Sequence, residues 1–448
     1  MFKKILIANR GDVALRIHRA CRDLEIETVA VHSTADNNAM HVRLADESVC
    51  IGSPRSSDSY LNVQSLISAA LITGADAVHP GVGFLSENAD FAEIVSAHGL
   101  KFIGPSPNHI KTMGDKVAAK KAALEAGLPI VPGSKNSINN MNEASKEANK
   151  IGYPVIIKAA AGGGGRGMKV ATSESLLSQA YSSARSEAKA AFGNDTVYIE
   201  KYLKNPRHIE VQIMADKFGN VVHLGERECS VQRRHQKLFE ETPSPAINNI
   251  EREKIGMLCT KAAKKLGYLG LGTIEFLFEN NNFYFIEMNT RLQVEHPITE
   301  LITGLDLVCE QIKIAYGEKL AFKQEDIKFT GHAIECRINA ENSQTFVPSP
   351  GKVQTYHPSG GPGVRIDSTI YQGYNVEPFY DSLVAKLIVY GPNRSSCIAR
   401  TKRALEEFII EPIETSLDLH KKLIKNPDII KGNYSIKWLE EVFLPMQK

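Results

Sequence analysis

Hydrophobic and polar positions alternate in a strand-then-helix order over the first hundred residues. Apolar segments that begin at Lys4, Glu27, Asp76 and Lys101 have the composition of strands, and VALRIHRACRDL between the first two has apolar residues at helical spacing. SYLNVQSLISAALITG and NADFAEIVSAHG repeat the helical pattern between the later strands. This alternation is typical of a parallel sheet with helices wound on both faces. We predict such a doubly wound α/β domain for residues 1–112.

The rest of the chain has a different pattern, in which strand-like segments follow one another closely. YPVIIK and MKVAT flank a run of glycines, and EVQIMAD with NVVHLGERE and GTIEFLF with FYFIEMN are typical of hairpins. From about Thr330, strands such as GHAIECRI and LVAKLIVYG are mixed with the helical CIARTKRALEEF. The stretch from Ser134 to Lys150 is rich in Asn, Ser and Lys, and we expect a mobile surface element there.

The glycine run, Gly162 to Gly165, is followed by Arg166 and Gly167. A Walker-type phosphate loop fails on spacing, because Met and Lys follow Gly167 instead of Lys and Ser or Thr. A dinucleotide fingerprint fails because these glycines are contiguous and lead into another strand. A disordered surface hairpin and a glycine flap whose amides fold over a polyphosphate remain. Lys158 favours the flap, because an ammonium at the end of the preceding strand is well placed to reach an anion.

A second informative hairpin contains two opposed carboxylates. Apolar segments flank Asn280, Asn281 and Asn282, and we predict a three-residue loop because asparagine tolerates left-handed backbone. Counting back from that loop places Glu275 opposite Glu287. The register is supported by the single apolar face that it creates, formed by Ile274, Phe276, Phe278, Tyr284, Ile286 and Met288.

Like charges directly opposite each other repel, so a cation is expected between Glu275 and Glu287. Mg²⁺, or Mn²⁺ in its place, prefers carboxylate oxygens and shares its remaining positions with water and phosphate. Asn289, on the same face, adds an amide oxygen. The alternative is a solvated face whose acids pair with nearby lysines. We favour the metal site, because Asn289 and Arg291 continue the polar alternation beyond the carboxylates.

Composition narrows the class of protein. The chain has 448 residues, 43% hydrophobic and 23% charged, and is expected to form two or three folded domains. The net charge of +2 gives no reason to expect nucleic acid binding. No apolar run approaches the roughly 20 residues that span a bilayer, and no signal peptide is recognisable. The seven cysteines are scattered, which favours free thiols. We expect a cytoplasmic protein without membrane or nucleic acid partners.

Several longer motifs resemble those of one enzyme family. Lys116 in MGDK, Lys158, VYIEKYL and the set of Glu275, Glu287 and Asn289 look like the ATP-grasp fold. More narrowly, the chain resembles biotin carboxylases nearly end to end, through ANRGD, HPGVGFLSEN, IGPSP, KAAAGGGGRGM, NPRHIEVQ, ERECSVQRRHQK, FIEMNTRLQVEHP, HAIECRINAE and PSPGKV. The resemblance implies that ATP and bicarbonate give carboxyphosphate, whose carboxyl group then passes to N1 of biotin on a carrier protein.

The same resemblance implies three units. These are a Rossmann-like N-terminal domain (1–112), an ATP-grasp domain (113–329) and a C-terminal mixed α+β domain (330–448). The second domain is expected to carry a mobile glycine-flap lid at about 134–203.

The resemblance also implies an ATP site. Lys116 and Lys158 would bind phosphates, while Glu200, Lys201 and Leu203 would meet the adenine largely through the main chain. The other residues implied are the flap glycines Gly163, Gly164, Gly165 and Gly167, and His208, Gln232 and His235 on the ribose and phosphate side. Each histidine alone is more often structural, so these assignments depend on the motifs NPRHIEVQ and SVQRRHQK.

RLQVEH implies the bicarbonate pocket. The fork of Arg291 matches a small planar anion and Lys237 adds a point charge, while Gln293 and the Val294 amide complete the pocket. Glu295 is implied as the general base that removes the bicarbonate proton. Two nearby cations would depress its pKa, but they would acidify the bound bicarbonate as well.

Arg337 in ECRINAE is implied to stabilise the charge that develops on the ureido oxygen of biotin, although in isolation it could be a surface arginine on a strand. Val82 stands where the family usually has tyrosine, so a phenol is missing on the biotin side of the site. The shape of the biotin pocket therefore does not follow from the resemblance. Asp12 replaces the more usual Glu, a shortening that we expect to be tolerated. Pro362 lies where the family makes its subunit contact, so we expect a homodimer.

The partners follow from what the chain lacks. It has no biotinylation motif like AMKM, so we expect a separate biotin carboxyl carrier protein and separate carboxyltransferase subunits, as in the multi-subunit acetyl-CoA carboxylase of fatty acid synthesis. The alternatives are the carboxylase subunit of a pyruvate or propionyl-CoA carboxylase, an ATP-grasp ligase that joins a carboxylate to an amine, and a degenerate ATP-binding regulatory module. None of the implied catalytic residues is missing, which speaks against the last.

Overall fold

The N-terminal part of the chain forms the predicted parallel sheet. A computed structural model of the protein describes residues 1–134, 136–159 and 167–447. The first strands are β1 (Lys4–Ile7), β2 (Glu27–Ser33), β3 (Glu47–Gly52), β4 (Ala77–His79) and β5 (Lys101–Phe102), and the helices are α1 (Gly11–Asp23), α2 (Met40–Leu44), α3 (Val63–Ile72), α4 (Ala89–Ala97) and α5 (Pro107–Gly114). The strands are parallel, in the order β3-β2-β1-β4-β5.

Helices cover both faces of this sheet, as predicted. Ile5 and Ile7 of β1 belong to a core that includes residues of α1, whereas Leu6 belongs to another core that includes residues of α3 and α4. Adjacent residues of one strand thus enter different cores, because successive side chains point to opposite faces.

A small antiparallel sheet follows. Its region contains α6 (Lys116–Ala126), α7 (Met141–Ile151), β6 (Val155–Ala159), β7 (Met168–Ala171), α8 (Glu174–Phe192) and β8 (Val197–Lys201), with β6 between β7 and β8. The stretch that we expected to be a mobile surface element contains α7, whose Ala144 and Ala148 are buried in the core of this unit. Most of the described residues of this stretch are exposed, so it lies at the surface as expected, and its mobility stays a prediction. Gly163, Gly164 and Gly165 of the predicted flap lie outside the described residues.

The larger sheet is antiparallel and has eight strands. From residue 207 onward the strands are β9 (Arg207–Ala215), β10 (Val221–Arg233), β11 (Gln236–Thr242), β12 (Gly270–Glu279), β13 (Asn282–Asn289), β14 (His332–Asn339), β15 (Gly351–Lys352), β16 (Thr355–His357), β17 (Val364–Ser368), β18 (Asn375–Val376), β19 (Leu383–Gly391) and β20 (Ile409–Glu411). The helices are α9 (Asn249–Lys265), α10 (His296–Thr303), α11 (Leu307–Tyr316), α12 (Arg394–Glu407), α13 (Leu417–Leu423) and α14 (Pro427–Lys431).

The strand order of this sheet is β13-β12-β9-β10-β11-β14-β19-β17. Because β11 pairs with β14, the sheet continues across residue 330, where we predicted a domain boundary. The last two predicted units therefore meet within one sheet. Among the helices of the described residues, none combines the length and the apolar character needed to cross a membrane.

The hairpin of β12 and β13 confirms the predicted pair but not the predicted loop. The loop has two residues, Asn280 and Asn281, both with positive φ (51° and 61°), instead of three. An irregularity between Glu275 and Phe276 then shifts the register by one residue, so Glu275 still pairs with Glu287. The apolar face differs accordingly: Phe276 pairs with Phe285, and the predicted face members Tyr284 and Ile286 are only half-buried.

Glu241 of β11 ties together three segments of the C-terminal part. Arg394 donates through Nε to Glu241 Oε2 (2.7 Å) and through Nη2 to Oε1 (2.9 Å), His332 Nε2 lies 2.7 Å from Oε2, and Tyr434 donates to Oε1. Burial would raise the pKa of Glu241, but its bonds to His332 and Arg394 lower it to about 2.

Replacing Glu241 with Gln should lower the free energy of unfolding by about 3 kcal/mol at neutral pH, because it leaves the Arg394 guanidinium without its carboxylate partner. The folded-state pKa lies below the ordinary value of about 4.3, so the stabilisation is complete above that pH and is lost as the pH falls towards 2. Urea unfolding followed by the fluorescence of Trp438, the only tryptophan, measures the difference. The exposed Glu440→Gln variant is the control, and an equal effect of both substitutions would contradict the prediction.

Candidate active site

Lys237 of β11 lies at the centre of a buried cluster of charges on the larger sheet. Its Nζ donates to Glu210 Oε2 (2.5 Å), Glu275 Oε1 (3.0 Å) and Glu295 Oε1 (2.7 Å). Glu210 and Glu275 are cross-strand neighbours on β9 and β12, and Glu295 directly precedes α10. Burial would lower the pKa of Lys237, but these carboxylates raise it well above its usual value, so Lys237 is a fixed cation.

Arg227 of β10 forms the floor of this cluster. It is fully buried and donates to Glu210 Oε1 (2.6 Å), Gln212 Oε1 (2.7 Å), Thr299 Oγ1 (3.0 Å) and Thr273 Oγ1 (3.2 Å). Sequence reasoning missed both Arg227 and Glu210. They could have been recognised in the sequence as charged residues within the strand motifs ERECS and HIEVQ, where the neighbouring residues are buried.

Glu295 is held by two cations at once. Its carboxylate is fully buried and accepts Lys237 Nζ on Oε1 (2.7 Å) and Arg337 Nη2 on Oε2 (2.9 Å). Burial alone would raise the pKa of Glu295, but Lys237, Arg337 and Arg227 lower it well below its usual value. Glu295 is therefore ionised, and an acidic substrate is needed before it can act as a base.

Arg337 of β14 is oriented from both sides. Its Nε donates to Glu240 Oε1 at 2.6 Å, while Nη2 faces Glu295. Burial raises the pKa of Glu240 to about 7, even though the charge of Arg337 opposes this. Because Nε is fixed, the guanidinium fork points into the cluster. The biotin contact that the resemblance implies for Arg337 stays a prediction.

The predicted metal ligands are brought together by β12 and β13. Glu275 and Glu287 are direct partners, and Asn289 Nδ2 donates to Glu275 Oε1 at 2.7 Å. His208 Nε2 lies 3.0 Å from Glu275 Oε2. Burial and the charge of Glu275 raise the pKa of Glu287. A divalent cation beside both carboxylates would remove this repulsion, so the donor set fits Mg²⁺.

Arg291 is positioned by a residue of the N-terminal domain. Glu87 Oε2 accepts Arg291 Nε at 2.7 Å, and Glu87 Oε1 accepts the amide of Thr290 at 3.1 Å. Asn289 Oδ1 accepts Arg291 Nη2 at 2.9 Å, so a metal bond through Asn289 requires its amide to rotate.

Gln293, buried nearby, donates to Glu275 Oε1 at 3.2 Å. The implied bicarbonate residues thus adjoin the metal ligands. Sequence reasoning missed Glu87, although it lies within the quoted motif HPGVGFLSEN.

The residues implied for the nucleotide are more dispersed. Lys158 lies at the end of β6 as predicted, but its Nζ donates to Glu200 Oε2 at 2.6 Å, and Lys120 pairs with the other oxygen of Glu200. Burial would raise the pKa of Glu200, but Lys158 and Lys120 lower it. Sequence reasoning missed Lys120. A phosphate at Lys158 would compete with this carboxylate.

The other nucleotide residues lie around the small sheet and the turn between β10 and β11. Lys201 Nζ donates to the carbonyls of Gly152 (2.9 Å) and Tyr153 (3.0 Å), and its main-chain amide donates to the Pro132 carbonyl. Leu203 and Gln232 are buried, whereas Lys116 and His235 are exposed. Gly167 has positive φ (69°), and its carbonyl accepts the Ala159 amide.

Comparisons with known proteins cover nearly the whole chain. Family models match in three consecutive parts: "Biotin carboxylase, N-terminal domain" over residues 1–110, "Carbamoyl-phosphate synthase L chain, ATP binding domain" over 115–323, and "Biotin carboxylase C-terminal domain" over 335–441. The biotin carboxylase of Haemophilus influenzae is 57% identical over 442 residues, which cover 98% of this chain and 99% of the relative.

Two solved structures have the same fold. A biotin carboxylase from Campylobacter jejuni in complex with β,γ-ATP is 51% identical, with a TM-score of 0.90 over 98% of both chains. The biotin carboxylase domain dimer of a 2-oxoglutarate carboxylase from Hydrogenobacter thermophilus, with MgADP, ADP and bicarbonate, is 47% identical, with a TM-score of 0.89 over 98% of both chains.

Proposed function

This chain belongs to the biotin carboxylase family, and we propose that the charge cluster around Lys237 and Glu295 performs the chemistry of that family. The protein is an ATP-dependent enzyme that carboxylates biotin and uses ATP, Mg²⁺ and bicarbonate. The observation that carries the proposal is the buried carboxylate of Glu295, held between Lys237 and Arg337.

In the first step, Glu295 accepts the proton of bicarbonate, and the deprotonated oxygen attacks the γ-phosphorus of ATP. The bond to ADP breaks and carboxyphosphate forms. Arg291, Lys237, Gln293 and the Val294 amide hold the bicarbonate. Lys237 lowers the pKa of Glu295 and also binds the bicarbonate, whose pKa it lowers as well, so Lys237 does not oppose the proton transfer.

The proton transfer links the two steps of the reaction. Once protonated, Glu295 loses the negative charge that holds Arg337 Nη2, so the guanidinium becomes available to another oxygen. In the second step, the bond between the carbon and the bridging oxygen of carboxyphosphate breaks, which gives CO₂ and phosphate. The phosphate takes the N1 proton of biotin, and Arg337 stabilises the negative charge on the ureido oxygen. N1 then forms its bond to the carbon of CO₂. Glu240 keeps the fork of Arg337 aimed into the site.

Glu275, Glu287 and Asn289 would hold Mg²⁺, which when bound neutralises charge on the transferring phosphoryl group. The ATP itself would be held by Lys116, Lys158, Gly163, Gly164, Gly165, Gly167, Glu200, Lys201, Leu203, His208, Gln232 and His235. Support comes from the adjacency of His208 to Glu275, which joins this set to the carboxylate cluster.

Replacing Glu287 with Gln should raise the Mg²⁺ concentration needed for half-maximal bicarbonate-dependent ATP hydrolysis by about tenfold or more. The variant removes one charge of the opposed pair while Glu275 keeps its bonds. A Mg²⁺ titration at fixed ATP measures the effect. Glu279→Gln on the same hairpin is the control, since its acceptor bond from the Asn205 amide is available to glutamine. An unchanged Mg²⁺ requirement would contradict the role of Glu287 as a ligand.

The partners and pathway extend the proposal. We assign the three domains to residues 1–112, 113–329 and 330–448, with the lid at about 134–203. We propose a cytoplasmic homodimer that serves a separate biotin carboxyl carrier protein and carboxyltransferase subunits of an acetyl-CoA carboxylase. The match to a relative named biotin carboxylase supports the first half-reaction of this proposal. The second candidate is a subunit of another carboxylase, and the match to a 2-oxoglutarate carboxylase domain supports it.

Reconstitution separates the candidates. The purified chain is combined with the biotinylated carrier and carboxyltransferase subunits of its source organism and with labelled bicarbonate, and acetyl-CoA, propionyl-CoA, pyruvate and 2-oxoglutarate are offered in turn. Label in an acid-stable product with acetyl-CoA supports the proposed pathway. Label with another acceptor alone would assign the chain to that carboxylase, and no transfer from carboxylated carrier to any acceptor would contradict the proposed partners.

A further inference from the structure

Lys386 is a buried lysine of β19 that takes no part in the steps assigned to Glu295 and Arg337. It is 1% exposed. In the register of the sheet it lies opposite Arg337 of β14 on one side and Asp367 of β17 on the other. Burying an ammonium is costly unless charges and hydrogen bonds replace its lost hydration. The contacts that compensate the buried ammonium therefore indicate the role of Lys386.

Three groups from distant parts of the chain surround its Nζ. Asp12 Oδ2, at the start of α1, lies 3.0 Å away, and Asp367 Oδ2 lies 3.9 Å away. The third contact is a hydrogen bond of 3.0 Å to the carbonyl oxygen of Val294. The two carboxylates compensate the charge, while the third contact places a cation on the backbone immediately before Glu295. Asp12 is the residue that replaces the family's usual Glu, and it still reaches Lys386.

The two peptide groups that flank Val294 are both fixed from this side. Lys386 holds the Val294 carbonyl, which belongs to the same peptide group as the Glu295 amide. His296 Nδ1 donates to the Gln293 carbonyl at 2.7 Å, which belongs to the same peptide group as the Val294 amide. The direction of the Val294 amide and the position of the Glu295 backbone therefore depend on these two bonds.

We propose that Lys386 is a positioning residue for the bicarbonate step. It acts through the Val294 peptide, and keeps the Val294 amide and the Glu295 carboxylate aligned with bicarbonate, while Asp12 holds its ammonium in place. The inference rests on the proposed role of Glu295. It extends the bicarbonate site to a strand of the C-terminal part and to the first helix of the N-terminal domain.

The test is steady-state ATP hydrolysis by the full chain, with bicarbonate and ATP varied separately. Lys386→Met should lower kcat/KM for bicarbonate by about 10- to 100-fold, the loss expected when a reacting group is displaced by about 1 Å. KM for ATP should stay within about twofold, because none of the implied ATP residues that the structure describes is hydrogen-bonded to this peptide. Lys386→Arg, which keeps a cationic donor, should recover part of the loss.

Two further variants separate positioning from stability. Asp12→Asn keeps an oxygen that can accept a hydrogen bond from the Lys386 ammonium, so it should lower kcat/KM for bicarbonate by less than Lys386→Met does. Lys386→Met alone leaves the Asp12 carboxylate unpaired, and adding Asp12→Asn removes that charge. The double variant should therefore regain thermal stability without regaining kcat/KM for bicarbonate.

The inference is overturned if folded Lys386→Met or the double variant keeps the wild-type kcat/KM for bicarbonate. It is also overturned if the double variant regains both thermal stability and kcat/KM for bicarbonate, because a purely structural ion pair would behave in that way. Hydrolysis by the wild-type enzyme that does not respond to bicarbonate would instead refute the proposed function, and the inference with it. The two failures are distinguishable because only the second one appears in the wild type.

Discussion

Replacing Glu295 with Gln should lower bicarbonate-dependent ATP hydrolysis by about a thousandfold, within the range that a general base contributes. Glutamine has nearly the same shape but cannot accept the bicarbonate proton. It also removes the charge that Lys237 Nζ and Arg337 Nη2 now share, at 2.7 and 2.9 Å. Hydrolysis measured against bicarbonate concentration should show the loss mainly in kcat, because Arg291 still binds the anion.

A buried carboxylate outside the cluster provides the matched control for Glu295. Glu226 of β10 is 2% exposed and accepts Arg252 Nε at 2.7 Å. Glu226→Gln should reduce thermal stability but leave kcat within a few-fold of wild type. Equal losses of kcat in both variants would mean that Glu295 matters for folding and not as a base.

The second large effect concerns Arg337. Arg337→Met should lower carboxylation of biotin by about 10² to 10³-fold, as expected when a donor to a developing oxyanion is removed. Bicarbonate-dependent ATP hydrolysis without biotin should fall much less, because Lys237 still holds Glu295. Labelled bicarbonate incorporated into an acid-labile product, measured beside phosphate release, separates the two activities.

Arg337→Lys tests whether the fork is needed or only the charge. Lysine restores a cation but cannot keep the bond to Glu240 and reach Glu295 from the same group, so only a small part of the carboxylation should return. Proportional loss of both activities in Arg337→Met would contradict a separate role in the biotin step.

The pair Glu275 and Glu287 shows how far reasoning from the sequence reaches. The alternation of apolar residues predicted the hairpin, its buried face in part and the opposition of the two carboxylates. The predicted loop was one residue too long, and an irregularity beside Glu275 compensates for it. Such irregularities depend on the twist and packing of the neighbouring strands, which the hairpin sequence does not contain.

Contacts between distant segments could not be predicted in the same way. Glu87 meets Arg291 across 204 positions, and Lys386 meets Val294 across 92. A buried charge in a strand motif is recognisable from its apolar neighbours, but its partner depends on which strands become adjacent. The motifs therefore located Lys237, Glu295 and Arg337 as candidates, whereas Arg227 and Lys386, which hold the surrounding structure, required the three-dimensional arrangement.

Bicarbonate labelled with ¹⁸O tests most directly whether an oxygen of bicarbonate attacks ATP after Glu295 takes its proton. The enzyme is incubated with ATP, Mg²⁺, biotin and the labelled anion, and the released phosphate is examined by mass spectrometry. Carboxyphosphate formation predicts one ¹⁸O atom in each phosphate, because the bridging oxygen stays with phosphorus when CO₂ leaves. Unlabelled phosphate would show that water attacks ATP, and would contradict the roles assigned to Glu295 and the residues around it.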